Sequence, residues 1–260
     1  MELILTLDVG TTSVKACLFD RQLRQTALTS REYALQTRGV CAEAEAQVYL
    51  DAAAQCILSL PAEARARVCA VALTTQGETL LCVDRQGKAL RPAIVWLDSR
   101  AEAQAARLAA ALDRQRFYER TGLPELSGAL PLAKLLWLRE QEPESWARTD
   151  KFLLLEDYLM LWLTGRAVTE KSLLTSTGYF DLQSDDYWDE ALALAELDRT
   201  RLPQALACGS IVGPVLPEVA EALGLPASAC VVTGAMDQTA AALAAGCTRP
   251  GTLCETTGTA

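Results

Sequence analysis

Four short stretches hold residue types that do chemistry. The first is Asp8-Val9-Gly10-Thr11-Thr12-Ser13. A small turn between two strands aims several backbone N–H groups one way. Gly10 lets a phosphate approach closely, and three hydroxyls add donors. Asp8 can hold Mg²⁺ through water, and Lys15 faces either phosphate or solvent. The same stretch also reads as a plain hairpin turn. The second is Gly234-Ala235-Met236-Asp237-Gln238. Its aspartate opens an Ala-rich helix, either as an N-cap or as a general base that the helix N-terminus keeps ionised. Such a base suits phosphoryl transfer, where the attacking hydroxyl becomes acidic late. The third, Gln76-Gly77-Glu78, follows the apolar run VCAVALT, at a strand end where an α/β sheet presents ligand groups. The fourth is Trp96-Leu97-Asp98-Ser99-Arg100. An indole face, a carboxylate and a guanidinium together suit a polyhydroxylated carbon chain. Its alternative is a helix start, with Asp98 or Ser99 as cap and Trp96 in the core.

Composition narrows the chemistry. The 260 residues contain no histidine, which excludes His bases, Ser-His-Asp and Cys-His couples and His-ligated zinc. Proton transfer falls to carboxylates, Lys, Tyr or Cys. The net charge of −9 gives no general attraction for nucleic acid or anionic lipid, so neither is expected as a partner. Nine cysteines, an odd number with no CxxC pair, mostly sit in apolar runs. They predict buried, reduced thiols in a cytoplasmic protein. The N-terminus lacks the basic-then-apolar pattern of a signal peptide, and no apolar stretch reaches the roughly 18 residues of a membrane span.

The elements that must position these residues follow from periodicity. Residues 3–9 and 14–19 predict a β-hairpin, and 24–35 a third extended segment. An Ala-rich amphipathic run over 42–60 predicts a helix stopped by Pro61. Strands are expected over 68–74, 80–83, 93–96 and 230–233, and from Leu253 onward. Helices are expected over 100–112, 132–141, 156–163 and 237–245, with Gly165 and Gly246 as stops. Residues 170–215 read as irregular. The sum is a mixed α/β domain that opens with a meander. A hairpin start without GxGxxG argues against a doubly wound dinucleotide fold.

Six segments in order resemble the FGGY carbohydrate kinases, the sugar-kinase branch of the actin and Hsp70 superfamily. LTLDVGTTSVKACLFD (5–20) is similar to the family's first phosphate loop, and PAIVWLDSR (92–100) to the glycerol kinase form of the next motif. TGLPELSGALPLAKLLWLREQEPE (121–144) resembles xylulokinases, and DYLMLWLTGRAVTEKSLLTSTGYFD (157–181) the DYLxxxLTG segment. VTGAMDQTAAALAAG (232–246) is similar to the block carrying the catalytic aspartate, and CETTGTA (254–260) to the start of the second phosphate loop. The resemblance implies a ribonuclease H-like fold, a mixed sheet flanked by helices, with a substrate-facing lobe near 100–215. It implies ATP and Mg²⁺ as cofactors and a sugar or polyol as substrate. Carried over, Asp237 is the general base and Asp8 holds the metal. Gly10, Thr11, Thr12, Ser13, Lys15, Gly258 and Thr259 hold the nucleotide phosphates. Gln76, Glu78, Trp96, Asp98 and Arg100 surround the sugar.

Departures qualify the substrate. Xylulokinases carry Met-His after the Gln, and glycerol kinases Arg-Glu, where Gly77-Glu78 stands here. The aromatic expected shortly before Lys134 is absent. Glu78 and an open space at Gly77 point to an uncharged polyol or ketose rather than a sugar acid. Family members have two domains of similar size, so residues 1–250 are expected to form the N-terminal, sugar-binding domain and 251–260 to begin the nucleotide domain. Such a half is expected to lack kinase activity alone, and its uncovered face to permit a homodimer. The alternative is a catalytically silent sugar-binding or scaffold domain.

Overall fold

The computed structural model describes residues 2–255. Gly258 and Thr259 lie outside the described residues. Strict alternation builds the first sheet. β1 (Leu3–Val9) buries Leu3, Leu5, Leu7 and Val9 and turns Ile4, Thr6 and Asp8 to the opposite face. β2 (Ser13–Phe19) pairs antiparallel with it, Asp8 opposite Lys15, and β3 (Gln25–Glu32) extends the meander. β4 (Gln36–Arg38) and β5 (Cys41–Ala44) form a short hairpin ahead of α1 (Ala46–Leu58). The helix predicted from residue 42 therefore starts later. Ala42 and Ala44 are buried in alternation with Cys41 and Glu43, and β5 takes a sheet partner that local propensity does not reveal. Pro61 caps the one-turn α2 (Ala62–Arg65), and β6 (Val68–Thr75) returns parallel to β1.

β7 (Leu80–Val83) and β8 (Ala93–Ile94) open a second sheet. α3 (Glu102–Ala111), α4 (Arg114–Thr121), α5 (Pro131–Gln141) and α6 (Pro143–Arg148) build the lobe, and β9 (Lys151–Leu154) completes that sheet. α7 (Leu155–Thr164) ends at Gly165, whose φ of +71° suits glycine. The stretch predicted as irregular contains β10 (Val168–Glu170), α8 (Lys171–Leu174), β11 (Phe180–Asp181), β12 (Asp186–Tyr187), α9 (Asp189–Leu194), β13 (Gln204–Leu206) and β14 (Ile211–Pro214). Elements of two to six residues are too short to show a period. α10 (Pro217–Leu223), β15 (Cys230–Val232) and α11 (Asp237–Ala244) follow. The strand expected from Leu253 does not appear over the described residues 253–255.

The main sheet has the order β14-β15-β6-β1-β2-β3, and the second β4-β5-β8-β7-β9. Tyr49, Ala53, Cys56 and Ile57 of α1 are fully buried in the core beneath β1 and β2. Each such large apolar side chain stabilises by roughly 1.5–3 kcal/mol. The second sheet lies between two cores. Leu81, Val83, Ala93 and Leu153 face the main one, while Leu80, Cys82, Ile94, Phe152 and Leu154 face the lobe. All nine cysteines are free, but only Cys56 and Cys82 are buried. Strand residues such as Cys69 lie on half-covered faces, so apolar neighbours in sequence overstate their burial.

Candidate active site

β1, β6 and β15 run parallel, so their C-terminal ends lie together. That alignment brings the Gly10–Ser13 turn, Gln76-Gly77-Glu78 and Gly234–Asp237 to one end of the sheet. Trp96 arrives from the second sheet, just past β8. The four meet around a cavity of about 280 Å³. Thr11, Gln76, Gly77, Glu78, Trp96 and Asp237 line it, with Met236 and Gln238 at its side. A wider depression of about 690 Å³ lies over β12 and β13, where Lys171 and Arg199 are already paired with Asp185 and Asp186.

The cavity is rich in acceptors. Gln76 is 3% exposed, and its amide Nε2 donates to the Tyr49 hydroxyl at 3.5 Å. Its Oε1 is buried and has no partner among the described residues, which leaves an acceptor free beside the cavity. Glu78 sits at a φ of +50°, a left-handed conformation that disfavours a side-chain-bearing residue. Burial raises its carboxyl above the usual range. The Ser176 hydroxyl and the Lys134 charge oppose that rise, and Asp237 adds to it. Asp237 is the first residue of α11, and Met236 rather than Asp237 is the cap. Its Oδ1 accepts from the Gln238 amide at 2.7 Å. Burial pushes this carboxyl up, partly countered by the Gln238 N–H, and the nearby charge of Asp8 raises it further. The ionising effect expected of the helix end is thus outweighed. No Lys or Arg lines this cavity among the described residues.

Lys134, absent from the sequence-derived site, supports the wall. It is fully buried on α5, and its Nζ donates to the carbonyls of Glu78 at 3.3 Å and Val95 at 3.0 Å. Burial lowers its ammonium to about 7; Asp98 and Glu78 counter the fall, and Arg100 deepens it. A lysine inside a predicted helix signals nothing of this by itself. Gly77 is also not what the sequence implied. A Cβ there would lie 3.3 Å from both Met236 Sδ and Ser176 Oγ, so Met236 fills the space expected to be open.

Asp98 and Arg100 do not line the cavity. Asp98 is fully buried, and both its oxygens accept from Arg100, with Oδ2 also taking the Ala42 N–H at 2.7 Å. Burial pushes its carboxyl up, but the Arg100 bonds and the Ala42 amide outweigh it and hold it low. Arg100 also pairs with Glu43 at 2.8 Å and lies 4.9 Å over the Trp137 ring. The pair is spent on locking β5 and α5 to the turn that carries Trp96.

The turn fits an anion. The Thr11 and Thr12 amides have no acceptor among the described residues. Gly10 N donates to Ser13 O at 3.0 Å, and a Cβ on Gly10 would meet nothing nearer than that oxygen at 3.6 Å. The fold itself does not demand glycine there, and its bare Cα gives a ligand room for close approach. Asp8, 41% exposed, lies 3.5 Å from Lys15 Nζ, so this carboxylate remains open to a hydrated cation.

Comparison with known proteins identifies the family and the fold. The model of the FGGY family of carbohydrate kinases, N-terminal domain, matches residues 3–244. A xylulose kinase from Lactococcus lactis is 32% identical over 95% of this chain and 50% of its own length. A glycerol kinase from Methylobacterium nodulans is 33% identical over 99% of this chain and 52% of its own. The crystal structure of xylulose kinase from Rhodospirillum rubrum superposes with a TM-score of 0.91 at 31% identity, over 96% of this chain and 52% of that one. The chain thus spans about half the length of the relatives it matches. With the sheet order, the converging strand ends and the family match in agreement, the chain belongs to the FGGY family of carbohydrate kinases and carries its N-terminal domain, of ribonuclease H-like fold.

Proposed function

We propose that this chain is the sugar-binding half of an ATP-dependent kinase acting on a hydroxyl of an uncharged polyol or ketose. The observation that carries this reading is the cavity itself. It sets Asp237 among the acceptors Gln76 Oε1 and Glu78 and has no cation in its lining among the described residues. A ligand with several O–H donors satisfies it. A sugar acid would bring a carboxylate against two others without compensation.

The roles follow. Hydroxyls donate to Gln76 and Glu78, and the indole of Trp96 offers a face for C–H groups. Asp237 accepts the proton of the attacking hydroxyl as its oxygen bonds to phosphorus. MgATP would supply the phosphoryl group, with ADP as the leaving group. Asp8 would hold the cation through water, and the Gly10–Ser13 turn with Lys15 would hold phosphate oxygens. Nine free cysteines fit a cytoplasmic setting. A thermal-shift screen of polyols, ketoses and sugar acids on this chain tests the substrate class. Uncharged polyols or ketoses should raise Tm and sugar acids should not. Stabilisation by sugar acids alone would overturn the reading.

A further inference from the structure

Residues 233–236 join β15 to α11 without regular structure and carry Asp237. α11 itself buries none of its eight residues, so core packing of that helix does not fix the aspartate among the described residues. Side chains from four other elements hold the joining segment instead. Glu156 of α7, fully buried, accepts the Gly234 N–H on Oε1 at 3.2 Å. Thr74 of β6 donates its hydroxyl to the Ala235 carbonyl at 2.7 Å. Glu170, at the end of β10 and also fully buried, accepts the Met236 N–H on Oε1 at 3.1 Å, where Ser172 Oγ shares the same N–H at 3.0 Å.

These are costly groups to bury for a loop. Glu170 collects the Ser172 hydroxyl at 2.7 Å, the Ser172 amide at 2.7 Å and the Leu173 amide at 2.5 Å besides Met236. It thereby ties α8 and the loop to one carboxylate. Glu156 has Asp157 and Glu170 as neighbours, which with burial raise its carboxyl well above the usual range. Gly234 lies so close to β6 that a Cβ would meet Leu73 O at 1.4 Å, so the backbone is pinned from the other side as well.

We infer that Glu156, Thr74 and Glu170 are positioning residues that set the place of Asp237 by holding the backbone of Gly234, Ala235 and Met236. None of them lines the cavity. A displacement of about 1 Å in a reacting group can cost about a hundredfold in rate while leaving binding intact. The inference rests on the proposed role of Asp237, and the test separates the two.

In the whole protein, Thr74→Val and Glu156→Leu are compared with Asp237→Asn. Expected for both tether variants is a fall in kcat of about tenfold or more, with polyol KM and calorimetric affinity within about twofold. Hydrogen exchange at the Gly234–Met236 amides should quicken. Glu156→Gln keeps the acceptor oxygen and should restore kcat to within about threefold of the parent. If Glu156→Leu fails to fold, Thr74→Val, nearly isosteric, decides the matter alone. Unchanged kcat in Thr74→Val, or a loss of affinity equal to the loss of kcat, would overturn the inference while Asp237→Asn remains inactive. Near-normal turnover of Asp237→Asn would instead remove the proposed base.

Discussion

The indole Nε1 of Trp96 donates to the Thr11 hydroxyl at 2.9 Å. This bond joins the end of the second sheet to the β1–β2 turn, and so ties one wall of the cavity to the Gly10–Ser13 turn. Trp96→Phe keeps a ring face but loses the donor. It should lower stability by about 1 kcal/mol, or a few degrees in Tm. Trp96→Ala should further weaken polyol binding by about tenfold or more. Melting curves and calorimetry separate the two effects.

Asp237→Asn in the whole protein should lower phosphoryl transfer by about 10²–10⁴-fold and leave polyol affinity nearly unchanged. The amide retains the shape of the side chain but takes no proton. A coupled kinase assay beside calorimetry checks it, and near-normal turnover would reduce Asp237 to a helix-end residue.

Glu78→Gln should weaken polyol binding by about ten- to a hundredfold, since hydrogen bonds to a charged acceptor contribute roughly 1.5–3 kcal/mol. The parent carboxyl is raised above its ordinary value of 4.5. Its acceptor capacity is therefore complete above the raised value and declines as pH falls through it. Affinity should drop with acidification in the parent and stay flat in Glu78→Gln. A parent affinity that ignores pH would contradict this.

Lys134 carries a stability signature. Its folded value of about 7 lies below the ordinary 10.5, so between them the unfolded chain binds more protons. Stability from this group therefore rises with pH from about 7 to about 10.5, with a slope approaching 1.4 kcal/mol per pH unit at most. Any stability advantage of Lys134→Met should shrink across that window in urea titrations. A difference that stays constant with pH would refute the buried, easily neutralised ammonium.

Asp98→Asn leaves Arg100 buried at 8% exposure with its main partner gone. Breaking a buried pair costs about 3–5 kcal/mol. Denaturant unfolding should show that loss, with polyol affinity per folded molecule unchanged. A selective loss of affinity at parental stability would return Asp98 to the sugar site.

The main sheet and most long helices were legible because their periods repeat. Residues 3–9, 14–19, 68–74 and 237–245 each place their element to within about a residue. The site was legible where a motif ends a strand, as at Gly10, Gln76 and Asp237. It was less so where function depends on what burial does to a side chain. Asp98 and Arg100 have the types for sugar recognition, yet they satisfy each other, and sequence does not show which partners a charge will find in space. Lys134 and Met236 were missed for the same reason. Both act on the site through partners more than fifty residues away, at Glu78 and Gly77.

The second sheet serves as a party wall, and that limits how the protein can be cut. Leu80, Cys82, Ile94, Phe152 and Leu154 are buried against the core that the lobe shares with the segments from α8 to α9. Excising the lobe to make a minimal domain would strip one side of the wall and leave an adhesive β surface. Loops at the lobe's rim tolerate length changes, but a one-residue deletion within β7 would turn Leu80 and Leu81 to each other's rooms. Evolution can thus refurnish the lobe between its surface loops, while the register of this short strand has to be inherited intact.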